Sequence, residues 1–347
     1  MSHEITESDR AAYGSVEAWH RIGTVYGRPM TLEEAVAEIG FTVSLSPTTL
    51  PGTTIPVPGH FFVMRDDLAF DNPARVMATV KGRYTPIQNE ELAHLVAAFA
   101  GAVDAEIESA FTMQGGRKAV IAAKFKGDVA LRGNGGSEPV QRYVWGRTSH
   151  DGVWTTGLRL AATLPVCMNT VRMALGESSN EIAVRHTQTS QVALANVEKA
   201  AAGAVAYFGD LLAAGSFLAD TPVDGKTVRR YLTTLFPAPA KPAVGASDNA
   251  AKLYERGLRA TEKARKAVED AFEGQEEATR KGTLWGLAQA ASGLAEHTGR
   301  VRVAGGAEDA EEGDVAETRL LSLLDGALGQ SVDLPYKVAL KVVKYAA

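Results

Sequence analysis

Six of the seven histidines, His20, His60, His94, His150, His186 and His297, and the single cysteine, Cys167, are the side chains best suited to ligate a metal or act as nucleophile and base. None falls in a His-x-x-x-His or Cys-x-x-Cys spacing. The three or four convergent ligands of a zinc or iron centre are therefore not signalled. His20 and His186 read as hydrogen-bonded structural groups. Cys167 stands where a helix is expected to open, and a helix N-terminus lowers a thiol pKa. Its neighbours Val166 and Met168 favour instead a small buried hydrophobe. An activity built on Cys167 and a histidine stays open, but the expectation is no enzyme, no metal and no cofactor. The run Gly133-Asn134-Gly135-Gly136 lacks the Lys-Ser/Thr of a phosphate-binding loop and is expected to be a flexible hairpin loop.

A second chemistry needs no bond breaking. Single-stranded nucleic acid is held by cations that track phosphate and by aromatic faces on which bases stack. Arg142, Arg147 and Arg159 interleave with Tyr143, Trp145 and Trp154, and Arg117, Lys118, Lys124 and Lys126 come just before them. In a strand Tyr143, Trp145 and Arg147 share one face and Arg142 and Val144 the other. These ten residues form the candidate nucleic-acid-binding set. The alternative reading makes Tyr143 and Trp145 core residues and the arginines solvated ones.

Charge supports a local reading. The chain carries −5 overall, yet residues 115–172 hold nine Lys or Arg against three acids, leaving −11 elsewhere. One cysteine excludes an intramolecular disulfide. The N-terminus lacks a basic and apolar leader, and the Ala-rich stretch before residue 220 is broken by Glu198, Lys199 and Asp210, so the chain reads as cytoplasmic with no membrane partner.

The elements that must position these residues are legible in outline. Thr31 with Glu34 has capping-box spacing before a helix over 32–39. Strands are expected at 60–65 and 75–84, then a helix over 90–101 capped by Asn89. Strands at 106–114 and 117–126 join through a two-residue Gly115-Gly116 turn, and the aromatic hairpin closes at a tight Asp151-Gly152 turn. A helix from Cys167 and a strand at 181–187 follow. Helices are then expected over 191–218, 227–235, 247–273, 282–297, 320–328 and 336–345. The fold class is therefore α+β: an antiparallel sheet with flanking helices over 1–190, and a mostly helical domain over 191–347. The latter has a Pro-rich linker at 237–246 and an acidic loop at 305–314.

Six spaced motifs resemble a phage/plasmid-like family known as domain of unknown function 932. They are Trp19-His20-x-x-Gly23, Tyr84-x-Pro86-x-x-Asn89, His150-Asp151-Gly152, Val166-Cys167-Met168-Asn169-Thr170, Arg185-His186-Thr187, and Thr283-x-Trp285 with His297. Leu164-Pro165 stands where the family pattern leads one to expect Pro-Arg. The resemblance implies a mobile-element setting and no established activity. At the level of architecture alone, a basic hairpin on an antiparallel sheet followed by helices is similar to phage single-strand annealing recombinases. The resulting expectation is a single-stranded-DNA-binding homo-oligomer, in one form a ring, serving annealing or recombination. The alternative is an assembly or regulatory protein of a mobile element that touches no nucleic acid; long Ala-rich helices suit that role.

Overall fold

The computed structural model describes residues 9–14, 23–164, 169–171, 181–184, 197–245, 247–298 and 327–344. Trp19-His20, Val166-Cys167-Met168, Arg172, Arg185-His186-Thr187 and the acidic stretch 305–314 lie outside them, as does the side chain of His297.

The fold is α+β, with sheets in the N-terminal half and helices in the C-terminal half. Strand β1 (Ala11–Tyr13) lies beside β2 (Thr24–Val25) in the one parallel pairing among the described strands. Helix α1 (Leu32–Ile39) opens on the expected capping box, Thr31 accepting from the Glu34 N–H at 3.2 Å and Glu34 from the Thr31 N–H at 2.9 Å. Strands β3 (Val43–Thr49), β4 (Pro56–Arg65) and β5 (Val76–Lys81) make a small antiparallel sheet. Helix α2 (Asn89–Ala102) precedes the main sheet of β6 (Ala105–Met113), β7 (Lys118–Phe125), β8 (Val129–Gly133), β9 (Gly136–Ser149), β10 (Thr156–Leu164), β11 (Asn169–Val171) and β12 (Glu181–Val184). Its order is β11-β10-β9-β7-β6-β1-β2, with β8 on β9 and β12 on β10.

Alternation along β9 sorts the main sheet into two faces. Val144 and Gly146 point to α2, whose Leu92, Val96 and Phe99 are fully buried against them and against Ile121, Ala123 and Leu158. A Cβ on Gly146 would stand 2.2 Å from Val96 Cγ2, so the helix comes this close only because the strand has a glycine there. Tyr143, Trp145 and Arg147 lie on the other face.

Helices α3 (Val197–Ala219), α4 (Gly225–Leu235), α5 (Asp248–Glu273), α6 (Leu284–Thr298) and α7 (Ala327–Lys344) form the second half. Their core residues Phe208, Leu211, Tyr231, Trp285 and Tyr336 belong to the same apolar cluster as Leu92 and Ile121. The joint is the hairpin of β8 and β9. Asn134 and Gly135 both have positive φ, 48° and 75°, the signature of the two-residue turn that matches strand twist. This turn is held on all sides rather than flexible: Asn134 N–H donates to Asp220 Oδ1 at 2.6 Å and its amide to Ala278 O at 2.7 Å. Gly133 and Gly136 abut Ala219 and Ala278, leaving no room for a Cβ. Just beyond, the buried Glu138 carboxylate pairs with Arg280 and accepts from Trp285 Nε1 at 3.1 Å.

Several expectations are corrected. Asn169–Val171 does not continue a helix from Cys167 but pairs antiparallel with Ala162–Leu164 as β11. The Gly115-Gly116 connection spans four residues, since Met113 pairs with Lys118, and the Asp151-Gly152 turn is a six-residue loop between Ser149 and Thr156. The described C-terminal helix is continuous over Ala327–Lys344, with Pro335 inside it. Ala201–Ala219 is long and apolar enough, by composition, to cross a membrane; local charges did not shorten it as expected, and its Ala204, Phe208, Leu211 and Leu218 pack in the core.

A buried guanidinium left without its carboxylate is costly, so Glu138→Gln should destabilise the protein by about 3–5 kcal/mol in urea unfolding. Exchanging both Glu138 and Arg280 for methionine should recover most of that loss. A double variant as unstable as the single one would show that charge pairing is not what Glu138 contributes.

Candidate functional site

The two connections at one end of the main sheet gather a cluster of buried polar groups. Asn89 was expected to cap α2, but that task falls to Gln88, whose N–H donates to Glu91 and whose side chain also pairs with both Val43 backbone groups at 2.9 and 3.0 Å. Asn89 instead lies one residue inside the helix, fully buried. Its amide nitrogen donates to the last carbonyl of α1, Ile39 O, at 2.8 Å, and its Oδ1 faces His150 Nε2 at 2.9 Å. Because that oxygen can only accept, His150 carries its proton on Nε2. The imidazole is fully buried, 6.0 Å from the Phe41 ring, and its backbone N–H donates to Arg117 O at 2.7 Å.

Next to it, Lys118 Nζ donates to Asp151 Oδ2 at 3.0 Å and to Gln114 Oε1 at 2.7 Å. Burial by itself raises the Asp151 pKa. The Val153 N–H bond and the Lys118 charge outweigh it and hold the carboxyl below its ordinary value. Tyr84 O–H donates to Ser149 O at 3.3 Å. The turn between β6 and β7 is cradled from both sides: Asp9 accepts from the Gly115 and Gly116 N–H groups at 3.0 and 2.6 Å, and Arg65 Nη1 donates to Gly115 O at 3.1 Å. Arg65 is buried, stacked 4.1 Å from the Phe41 ring and forked onto Asp67 at 2.8 and 3.0 Å. Sequence reading missed Asn89, Asp9 and Arg65 as a group, because they are brought together across 50 to 107 positions.

The ten candidate binding residues do not form one patch. Lys118 and Arg147 are buried, lying 5.3 and 5.4 Å from the centre of the buried Trp154 ring, so this trio is a packed cation–aromatic cluster. Arg142 is on the helix side, its guanidinium over Phe125 and Phe208 and bonded to Lys126 O at 2.7 Å. Lys126 is exposed and paired with Asp104 at 3.3 Å and Glu106 at 2.9 Å. Arg117 is exposed in the turn. The remaining four meet on the face turned away from α2: Lys124 stands directly across from Tyr143, and Trp145 directly across from Arg159. All four are half-buried, and the other cross-strand neighbours of the two rings, Ala161 and Ala122, are too small to cover them. Trp145 packs at the rim of the small cluster of Ala11, Met113, Val120 and Trp154, so it belongs to neither the main core nor open solvent. Burial and the nearby Glu108 carboxylate raise the Tyr143 pKa, and Glu106 lies across from Lys124, so the positive charge of this face is locally opposed.

His60 is exposed and His94 sits 3.7 Å from Glu90; among the described residues no three of His, Cys, Asp and Glu gather to hold a metal ion.

A family model described as a domain of unknown function, number 932, matches residues 76–317. The chain belongs to this family. No curated protein and no solved structure matches it. Within the span matched to domain of unknown function 932, the motifs at Tyr84 to Asn89 and at His150 to Gly152 meet through the Asn89–His150 and Tyr84–Ser149 bonds. The Thr283-x-Trp285 motif is a helix start: Thr283 accepts from the Gly286 N–H at 3.1 Å while Trp285 clasps Glu138. Trp19-His20, β3 and β4 precede the matched span.

The Asp151 carboxyl, held low in the folded protein, contributes stability that is complete above the unfolded value of ~3.9 and falls away as pH drops toward its native value. Asp151→Asn should therefore cost about 3 kcal/mol at neutral pH, by stranding buried Lys118, and flatten the acid limb of an unfolding curve below roughly pH 4. An acid limb as steep as the parent's would assign that limb to other carboxylates.

Proposed function

We propose that this chain binds single-stranded nucleic acid across the face of the main sheet turned away from α2, without bond-breaking chemistry. The observation that carries this reading is the pair of cross-strand neighbours Lys124–Tyr143 and Trp145–Arg159, which twice sets a cation beside a half-buried ring on one face. Such pairs offer what a single strand needs, a charge for the phosphate and a flat surface for the base beside it. Small neighbours leave the rings approachable, and the buried cluster around Trp154 holds the strand ends rigid, so little ordering is needed on binding. The motif resemblance supports a phage or plasmid setting, and with it a role as an annealing or recombination accessory acting as a homo-oligomer.

A second reading is favoured by a different observation. Helix α3 turns Ala202, Val205, Ala206, Gly209, Ala213 and Phe217 outward, with Val205 64% and Phe217 51% exposed. Small and apolar residues on an outer face suit packing between copies, and an assembly protein that touches no nucleic acid would use them alone.

Labelled single-stranded oligonucleotide separates the two. Binding at ~50 mM salt that weakens steeply as salt rises is expected, with Lys124→Glu lowering affinity and reducing the log–log salt slope by about 1. Trp145→Ala should weaken binding by about 1–3 kcal/mol. Light scattering on the same samples reports assembly. A defined oligomer that gives no shift at low salt would leave the assembly reading standing and remove the first.

A further inference from the structure

We propose that the solvent face of α5 is a separate site for the phosphate backbone of nucleic acid, accepting duplex as readily as single strand. The site stands on α5 alone and does not depend on the sheet face.

Helix α5 runs 26 residues from Asp248 to Glu273, capped by Ser247, whose Oγ accepts from the Ala250 N–H at 3.4 Å. Its inner side is set by Val268, which is buried, and by Ala271 and Phe272, which pack on the core. Arg265 is also turned inward, its guanidinium bonded to Phe236 O. The opposite side carries Lys252, Arg256, Arg259, Lys263 and Lys266, all exposed. Their spacing of four, three, four and three residues averages close to the helical repeat, which places all five on one arc of roughly 80° directly away from the core. At ~1.5 Å per residue the row is about 21 Å long. That is the length of about six phosphates along each strand of a duplex.

Between Lys252 and Lys266 the carboxylates stand to one side of the row, and Asp248 and Asp270 lie one turn beyond its two ends on the same arc. Glu255, Glu262 and Glu269 recur every seven residues along one flank. Arg259 and Lys266 reach Glu255 and Asp270 at 3.8 and 2.9 Å, in exposed pairs of the kind that contribute little and that a phosphate readily displaces. Lys252, Arg256 and Lys263 pair with no carboxylate among the described residues. No aromatic residue lies on the arc, so nothing there can stack on a base, and recognition is by charge alone. A protein partner would be expected to find an aromatic or apolar anchor at the centre of such a surface, and the row has none. A site that reads only phosphate has no need of unpaired bases, whereas the rings at Tyr143 and Trp145 require them.

The test uses the full chain and a labelled blunt duplex of random sequence, followed by anisotropy across a salt series. Wild type should bind at ~50 mM salt. Exchange of all five cations for glutamine should lower duplex affinity at least about tenfold and reduce the log–log salt slope by about three to five. The exchanged side chains are exposed and glutamine favours helix. Unchanged circular dichroism would show that the fold is intact, and Lys252→Glu with Lys263→Glu provides a milder variant with the same expected direction. The proposal is overturned if wild type does not bind duplex, if the five-site variant binds it unchanged, or if soluble polyglutamate binds the row while duplex does not. Single-strand binding by Lys124→Glu reports on the sheet face separately, so either surface can fail without the other.

Discussion

A carboxylate taken out of water must recover its solvation from neighbouring charge and hydrogen bonds, and Glu138 recovers it from Arg280 and Trp285. This one residue sits near the start of β9, a strand of 14 residues that serves two layers. Over Gly136 to Val140 it pairs with β8 and reaches into the helices; from Tyr143 to Ser149 it is the centre of the main sheet. Fixing Glu138 therefore fixes the register of everything that follows on the strand. A slip of one residue would turn Val144 and Gly146 outward and drive Tyr143 and Trp145 into α2.

The far end of β9 is pinned as well, by different chemistry. Asn89 spans from the last carbonyl of α1 to His150, Lys118 closes on Asp151, and Asp9 and Arg65 hold the neighbouring turn. His150 has its Nε2 proton committed to Asn89, and Asp151 is occupied by Lys118 and Val153. Among the described motif residues, Asn89, His150 and Asp151 are thus ones that lock the loops.

The two surfaces proposed to face a partner are the span between the two pins and the outer surface of α5. The sheet face combines rings with cations at short range, among opposing carboxylates. The α5 row carries charge only, at long range, with Glu255, Glu262 and Glu269 to one side and Asp248 and Asp270 at its ends. As proposed, the two surfaces would ask different things of a ligand, unstacked bases in the first case and a regular line of phosphates in the second.

The sequence by itself determined whatever depends on neighbours along the chain. The capping box at Thr31 and Glu34, the 32–39 helix, the strand pair around Gly115, the α+β order of elements and the family membership carried by spaced motifs were all legible there. So was the alternation that sets Tyr143 and Trp145 on one face of β9, because period two needs no partner. Only the tertiary structure decided which cations meet anions, since Lys118 finds Asp151 33 positions away and Glu138 finds Trp285 147 positions away. It also made Asn89 a bridge rather than a cap, because burial between α1 and His150 offered its amide better partners than a helix end. Charge was the subtlest case. Residues 252–266 carry six cations against two acids, a local excess that a running sum shows without saying which way the cations point. The turn of the helix separates them in space, and the direction of the core, set by Val268, decides that the cations face the water.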